Sequence, residues 1–160
     1  MAPKFRPPSR PNPIANPFAS QAALFLQQAI AHHQRGQFSE AERIYEAVLK
    51  AQPNNPDALH LLGVLAAQHN QHERAIELIG KAIDANPKSA AFHSNRGNSL
   101  LAVGRAEEAL ESYDRAIALK PDLAASYSNR SNALRRLLRP EEAVASCDLA
   151  LALNPQYPEA

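Results

Sequence analysis

Shifted by 34 residues against itself, the chain falls into four units, 22–55, 56–89, 90–123 and 124–157. The shift superimposes a proline near the end of every unit: Pro53, Pro87, Pro121 and Pro155. It also superimposes an alanine in each second half (Ala41, Ala75, Ala109, Ala143) and a small residue in each first half (Ala29, Gly63, Gly97, Ser131). The phrase NRGNSL at 95–100 returns as NRSNAL at 129–134. No other feature limits the fold so strongly. A unit this short cannot bury an apolar face alone and must stack on copies of itself.

Inside a unit the apolar residues recur at spacings of three and four, as in Ala41, Ile44, Tyr45, Val48 and Leu49. That spacing is the stripe of an amphipathic helix. Two helices per unit are separated by breaks: RGQF at 35–38, HNQH at 69–72, GRAE at 104–107 and LRPE at 138–141. Gly36 and Gly104 supply the left-handed backbone that ends a helix. Pro140 suits the first turn of the helix that follows. Glu46 with Lys50, Glu77 with Lys81, and Glu111 with Arg115 are acid-to-base pairs one turn apart. No stretch alternates as a strand does. The pattern predicts an all-α chain of antiparallel helix pairs, whose small residues admit an axial separation of about 8–10 Å.

The period, the small residues, the aromatics Tyr45 and Tyr113, and the closing prolines resemble the tetratricopeptide repeat. The resemblance runs over 22–157. It implies a right-handed α-solenoid with the first helix of every unit lining a concave face. Gln28, Arg96 and Arg130 stand where the family usually carries a large apolar residue, and Ile79 and Cys147 replace its aromatic. Looser layers are expected at those places, with Cys147 a buried packing residue rather than a nucleophile. The repeat domain is expected over 20–157, and 158–160 reads as the start of a further repeat. Residues 1–19 hold six of the 13 prolines. They read as an extended tail, either a docking peptide or a tether.

The net charge is +1. Lys4, Arg6 and Arg10 lie in the tail with no acid beside them, so the repeats are slightly acidic. A nucleic-acid surface normally shows a basic excess, and none is expected here. An RNA-reading helical repeat would need a basic groove, and the repeat region is slightly acidic. The single cysteine rules out an intrachain disulfide and suits a reducing compartment. No apolar run approaches the roughly 20 residues of a membrane span, so a cytoplasmic protein without membrane contact is the simplest expectation. The six histidines do not recur with acids or cysteines at metal-ligand spacing. With no phosphate loop and no serine elbow, this chain alone is expected to be neither an enzyme nor a cofactor binder.

Function is better sought in the asparagines. Asn95 and Asn98 are three residues apart on one helix and share a face, and Asn129 and Asn132 repeat the arrangement. Each asparagine costs roughly 0.5 kcal/mol of helix propensity against alanine. A primary amide can grip a peptide amide from the side, so a row of them would hold an extended chain with little regard for its side chains. The alternative is that the amides brace neighbouring units. Ser94, Ser128 and His60 are expected to line the same groove, with Arg135 and Arg136 toward its far end. The matching positions of the first two units, Gln27, Ile30, Leu61 and Val64, are mostly apolar.

The resemblance has further implications. Co-chaperone members of the family clamp a terminal carboxylate with lysines, but Leu26, His60, Ser94 and Ser128 occupy the place of the leading lysine. The chain is also similar to bacterial repeat scaffolds and to the repeat region of SPINDLY-like O-linked N-acetylglucosamine transferases. The expected function is a non-catalytic protein-interaction module holding an extended peptide or partner helix in its concave groove. The other readings are the substrate-recruiting region of a larger glycosyltransferase, or a scaffold that self-associates through uncapped ends.

Overall fold

The structure is a computed structural model and describes residues 17–155, with side chains described from Gln21 onward. Among the described residues the chain forms eight α-helices and no strand: α1 (Pro17–Gln34), α2 (Phe38–Ala51), α3 (Pro56–Gln68), α4 (His72–Ala85), α5 (Ala90–Ala102), α6 (Ala106–Leu119), α7 (Ala124–Arg136) and α8 (Pro140–Leu153). The first helix begins at Pro17, inside the segment expected to be tail, with proline at the position where its missing donor is harmless. The rest of that tail and residues 158–160 lie outside the described residues.

Four helix ends share one device. In each, the backbone amide two residues beyond the helix's closing turn reaches back to the carbonyl five residues earlier: Gln37 to His32, Gln71 to Ala66, Arg105 to Leu100 and Arg139 to Leu134. This double-bonded termination needs one left-handed residue. Gly36 (φ 74°), Asn70 (φ 59°), Gly104 (φ 83°) and Leu138 (φ 57°) fill that place. Prolines 53 and 121 fall in the turns between units, and Asn55 caps α3 by accepting from the amide of Ala58 at 3.0 Å.

Each helix packs on its neighbours in the chain. α1, α3, α5 and α7 also touch one another in succession, whereas α2, α4, α6 and α8 do not touch each other. The more closely spaced row must be the inside of the curve, so the first helices of the units line the concave face. The small residues set the spacing within a unit. A Cβ at Gly97 would stand 2.6 Å from the ring of Tyr113, and one at Gly63 would stand 2.6 Å from Cγ1 of Ile79. Tyr45 and Tyr113 are fully buried against this row. The core is therefore a chain of local clusters, one bridging α1 to α3 around Tyr45, another bridging α4 to α8 around Tyr113, as expected for a solenoid.

Two departures from the repeat pattern are resolved by pairing. Arg96 donates to Ser112 Oγ at 3.3 Å and Arg130 donates to Ser146 Oγ at 2.6 Å, both serines being buried. Arg130 also pairs with Asp114. Cys147 corrects an expectation: it is half-exposed rather than buried. α8 is the last helix described and carries exposed Val144, Leu149 and Leu151; no later described helix packs over it.

Candidate functional site

The asparagine face lies on α5 and α7, on the concave side. Asn95 Nδ2 is 2.8 Å from Nε2 of His60 on α3. The His60 ring stacks at 4.5 Å on Phe92, and burial holds its pKa down to about 4 against a partial opposing pull from Asp57. The imidazole is accordingly neutral, and its Nε2 serves as the lone-pair acceptor of Asn95. Asn98 Oδ1 accepts twice, from the Tyr113 hydroxyl at 2.8 Å and from Asn129 Nδ2 at 3.0 Å. Burial raises the Tyr113 phenol pKa, which keeps it a donor.

Two of these bonds, Asn95 with His60 and Asn129 with Asn98, run between units, so the amides do brace the array, while the Tyr113 bond ties α6 to α5 within one unit. They also leave atoms over. After the contacts just described, Asn95 retains Oδ1 and Asn98 retains both protons of Nδ2. An acceptor and a donor thus stand three residues apart on one helix face, the complement of a peptide group.

The remaining expected residues divide. Asn129 and Asn132 are half-buried beside the same face, Asn132 lying 3.5 Å from an Arg135 nitrogen. Ser94 is half-buried and within 3.4 Å of the Ser126 hydroxyl. Ser128 corrects the sequence expectation: it is 1% exposed and is withdrawn from the groove surface. Arg135 is exposed, while Arg136 donates to the carbonyl of Leu101 at 3.1 Å and so spans from α7 to α5.

Two hollows indent the concave face. The first, about 560 Å³, lies between the first two units, where Ile30, Leu61, Val64 and Tyr45 give it an apolar wall and His33 and Gln68 bond across it at 2.6 Å. The second, about 260 Å³, lies against α3, α4 and α5, with Val64, Ala67 and Ile79 as walls and Asn95 and Asn98 on its rim. Gln68, His72 and Ser99 complete it. Ser99 escaped the sequence reading, yet one signal marked it. It occupies the register of Leu65 and Ala133, both buried, so a hydroxyl there is a polar group in a core position.

Among the described residues no cluster of three His, Cys, Asp or Glu side chains is placed to hold a metal ion, and no helix is long and apolar enough to cross a membrane.

Family models for the tetratricopeptide repeat match residues 32–98, 97–137 and 124–157. The chain belongs to the tetratricopeptide repeat family. Among solved structures it is similar to MamA, at 25% identity and a TM-score of 0.76 over 81% of this chain and 75% of that one. It is similar also to the Thermobaculum terrenum O-GlcNAc transferase, at 30% identity and a TM-score of 0.79, over 90% of this chain but 28% of that one. Pseudomonas aeruginosa PilF shares the fold, with a TM-score of 0.83 at 23% identity over 89% of this chain and 65% of the other. The curated relatives include a photosystem I assembly protein, Ycf3, of Prochlorococcus marinus, 31% identical over 80 residues, 48% of this chain and 46% of the relative. The matched stretch thus spans about half the length of that relative.

Proposed function

We propose that this chain is a protein-interaction module that holds an extended peptide in its concave face through the amides of Asn95, Asn98 and Asn129. The observation that carries the reading is the surplus of amide atoms on α5: an acceptor on Asn95 and donors on Asn98, facing a hollow, after the bracing bonds are formed. Membership of the repeat family and likeness to MamA and to an assembly protein support an interaction or scaffold role. An amide row reads backbone, so affinity should depend weakly on ligand side chains.

The test uses a fluorescently labelled peptide of alternating serine and alanine and follows its anisotropy. Asn95→Ala combined with Asn129→Ala should leave the far-ultraviolet circular dichroism helical and weaken binding by about tenfold, the loss of one to two net hydrogen bonds. Affinity equal to that of the parent would remove the amide row from the mechanism.

A second reading is favoured by the likeness to the O-GlcNAc transferase, where the match occupies 28% of that chain. In it, the held peptide is a protein substrate presented to a transferase domain outside residues 1–160.

A further inference from the structure

We propose that the free edge of the Arg136 guanidinium, at the α7 end of the concave face, binds a carboxylate of the bound peptide; this rests on the peptide-groove reading above. Register places the residue. Arg136 occupies the repeat position of Gln34 and Gln68, both of which line the hollow between the first two units. Unlike the half-buried Arg96 and Arg130 it is exposed, and it reaches across to α5, where its Nη1 donates to the Leu101 carbonyl at 3.1 Å. Burial raises the Tyr113 phenol pKa, and the Arg136 charge partly opposes that rise. The same hydroxyl donates to Asn98 Oδ1 at 2.8 Å, so the guanidinium stands near the amide row.

Which edge is free decides the chemistry. Bonding through Nη1 leaves the Nε proton and a proton of Nη2 side by side, with no partner among the described residues. This chain uses the same edge twice to hold a carboxylate in a two-bond fork. Arg105 holds Glu108 at 2.7 Å through both nitrogens, and Arg139 holds Glu142 at 2.6 and 2.7 Å. Arg136 has the fork and no carboxylate in it. A planar pair of oxygens sharing one negative charge fits such an edge, whereas an amide oxygen fills half of it and brings no charge. The surroundings favour the same occupant. Asp57 is the one acid on α1, α3, α5 and α7, and it lies in the first turn of α3. Every other acid within a described helix is on the second helix of a unit. Arg130 is paired with Asp114, but Arg135 is exposed and has only the neutral Asn132 beside it, which adds a second uncompensated charge. Adjacent helical residues point about 100° apart, so the two guanidiniums do not converge on one group. Arg136 makes the contact and Arg135 supplies field. A cation in the last turn also suits the helix dipole, but the dipole requires charge alone, not a bridge to α5 with the outer edge left open.

A carboxylate arrives on a side chain or at the peptide's C-terminus, and the experiment separates the two. It follows the anisotropy of N-terminally labelled serine–alanine peptides bound to the full chain at low salt. One series is amidated at its C-terminus and carries a single glutamate, moved along the peptide, with glutamine at the same place as control. A further peptide is neutral along its length and ends in a free acid. At the matching position glutamate should bind about three- to fivefold more tightly than glutamine, the gain of an exposed but two-bonded ion pair. Added salt should reduce that gain. Arg136→Gln should abolish it while binding the glutamine peptide as the parent does, which excludes a general loss of structure. Arg136→Lys keeps the charge without the fork and should retain only part of it. A gain confined to the free acid would mean that the edge holds a chain terminus rather than a side chain. A gain absent from every peptide, or undiminished in Arg136→Gln, would overturn the assignment. Neutral peptides that bind with no such gain remove the arginine edge and leave the amide row standing. If the glutamate peptide binds through Arg136 and the neutral peptides do not bind, the reverse holds.

Discussion

Leu138 is the residue whose backbone is most at odds with its side chain. It sits at φ 57° and is 87% exposed, so no packing compensates for the left-handed conformation. A residue with a Cβ is disfavoured there by about 1–2 kcal/mol, and glycine gives back about 0.5–1 kcal/mol of that in unfolded-state entropy. Leu138→Gly should therefore raise stability by about 0.5–1 kcal/mol, read as a melting temperature about 2 °C higher; an unchanged or lower melting point would show that the turn is not strained. The sequence announced this device at Gly36 and Gly104 but not at Asn70 or Leu138. The geometry is fixed by the reach-back bonds of the backbone, which any residue can join at a modest cost. Gly97 illustrates the opposite case. Its repeat position was visible in the sequence because the Tyr113 ring leaves no room for a Cβ.

At the scale of helix pairs, the arginines at 96 and 130 looked like defects when compared with Leu62 in the second unit. The compensation lies in the following helix. Leu62 is buried in a cluster against which Leu78 packs, while the third and fourth units place Ser112 and Ser146 in the register of Leu78 and bond them to the arginines. One large apolar pair has become a long polar side chain and a short one, and the long chain's stem still covers apolar surface. Arg130→Leu alone leaves the Ser146 hydroxyl buried without that partner, and Ser146→Leu alone crowds the guanidinium. Each single variant should lose about 1–2 kcal/mol, whereas the double variant restores the pairing of the second unit and should be more stable than either. Urea midpoints of the four proteins measure the coupling, and strict additivity would mean that the pair is not a unit. Both halves of this exchange were written in the sequence, but only the structure shows which serine answers which arginine.

Across the whole molecule, the repeat length gave the stacked helix pairs, since stacking is dictated by the period, and the family resemblance implied the concave face. The division of labour among the asparagines was less legible. Spacing places an amide on a face but does not say which of its atoms is consumed by a neighbouring helix, and His60 and Tyr113 consume some of them here. The same contact makes the array sensitive to acid. His60 lies between α3 and α5, and burial lowers its pKa to about 4 from 6.5. A histidine depressed in this way binds fewer protons folded than unfolded. Its neutral form therefore contributes stability that is fully present above about pH 6.5 and is lost as pH falls toward about 4. Between about pH 7 and pH 5 the loss amounts to about 2 kcal/mol. His60→Gln keeps an acceptor for Asn95 and removes the titration. Urea unfolding at the two pH values should show the parent losing about 2 kcal/mol more than the variant, while carboxylates common to both proteins cancel in the comparison. Protonation would also turn Nε2 from acceptor to donor and compel the Asn95 amide to flip, exchanging the acceptor it offers the groove for a donor. Peptide affinity should stay nearly level down to about pH 5 and fall in the parent as pH drops through about 4, but not in His60→Gln; parallel pH profiles in the two proteins would remove His60 as the cause.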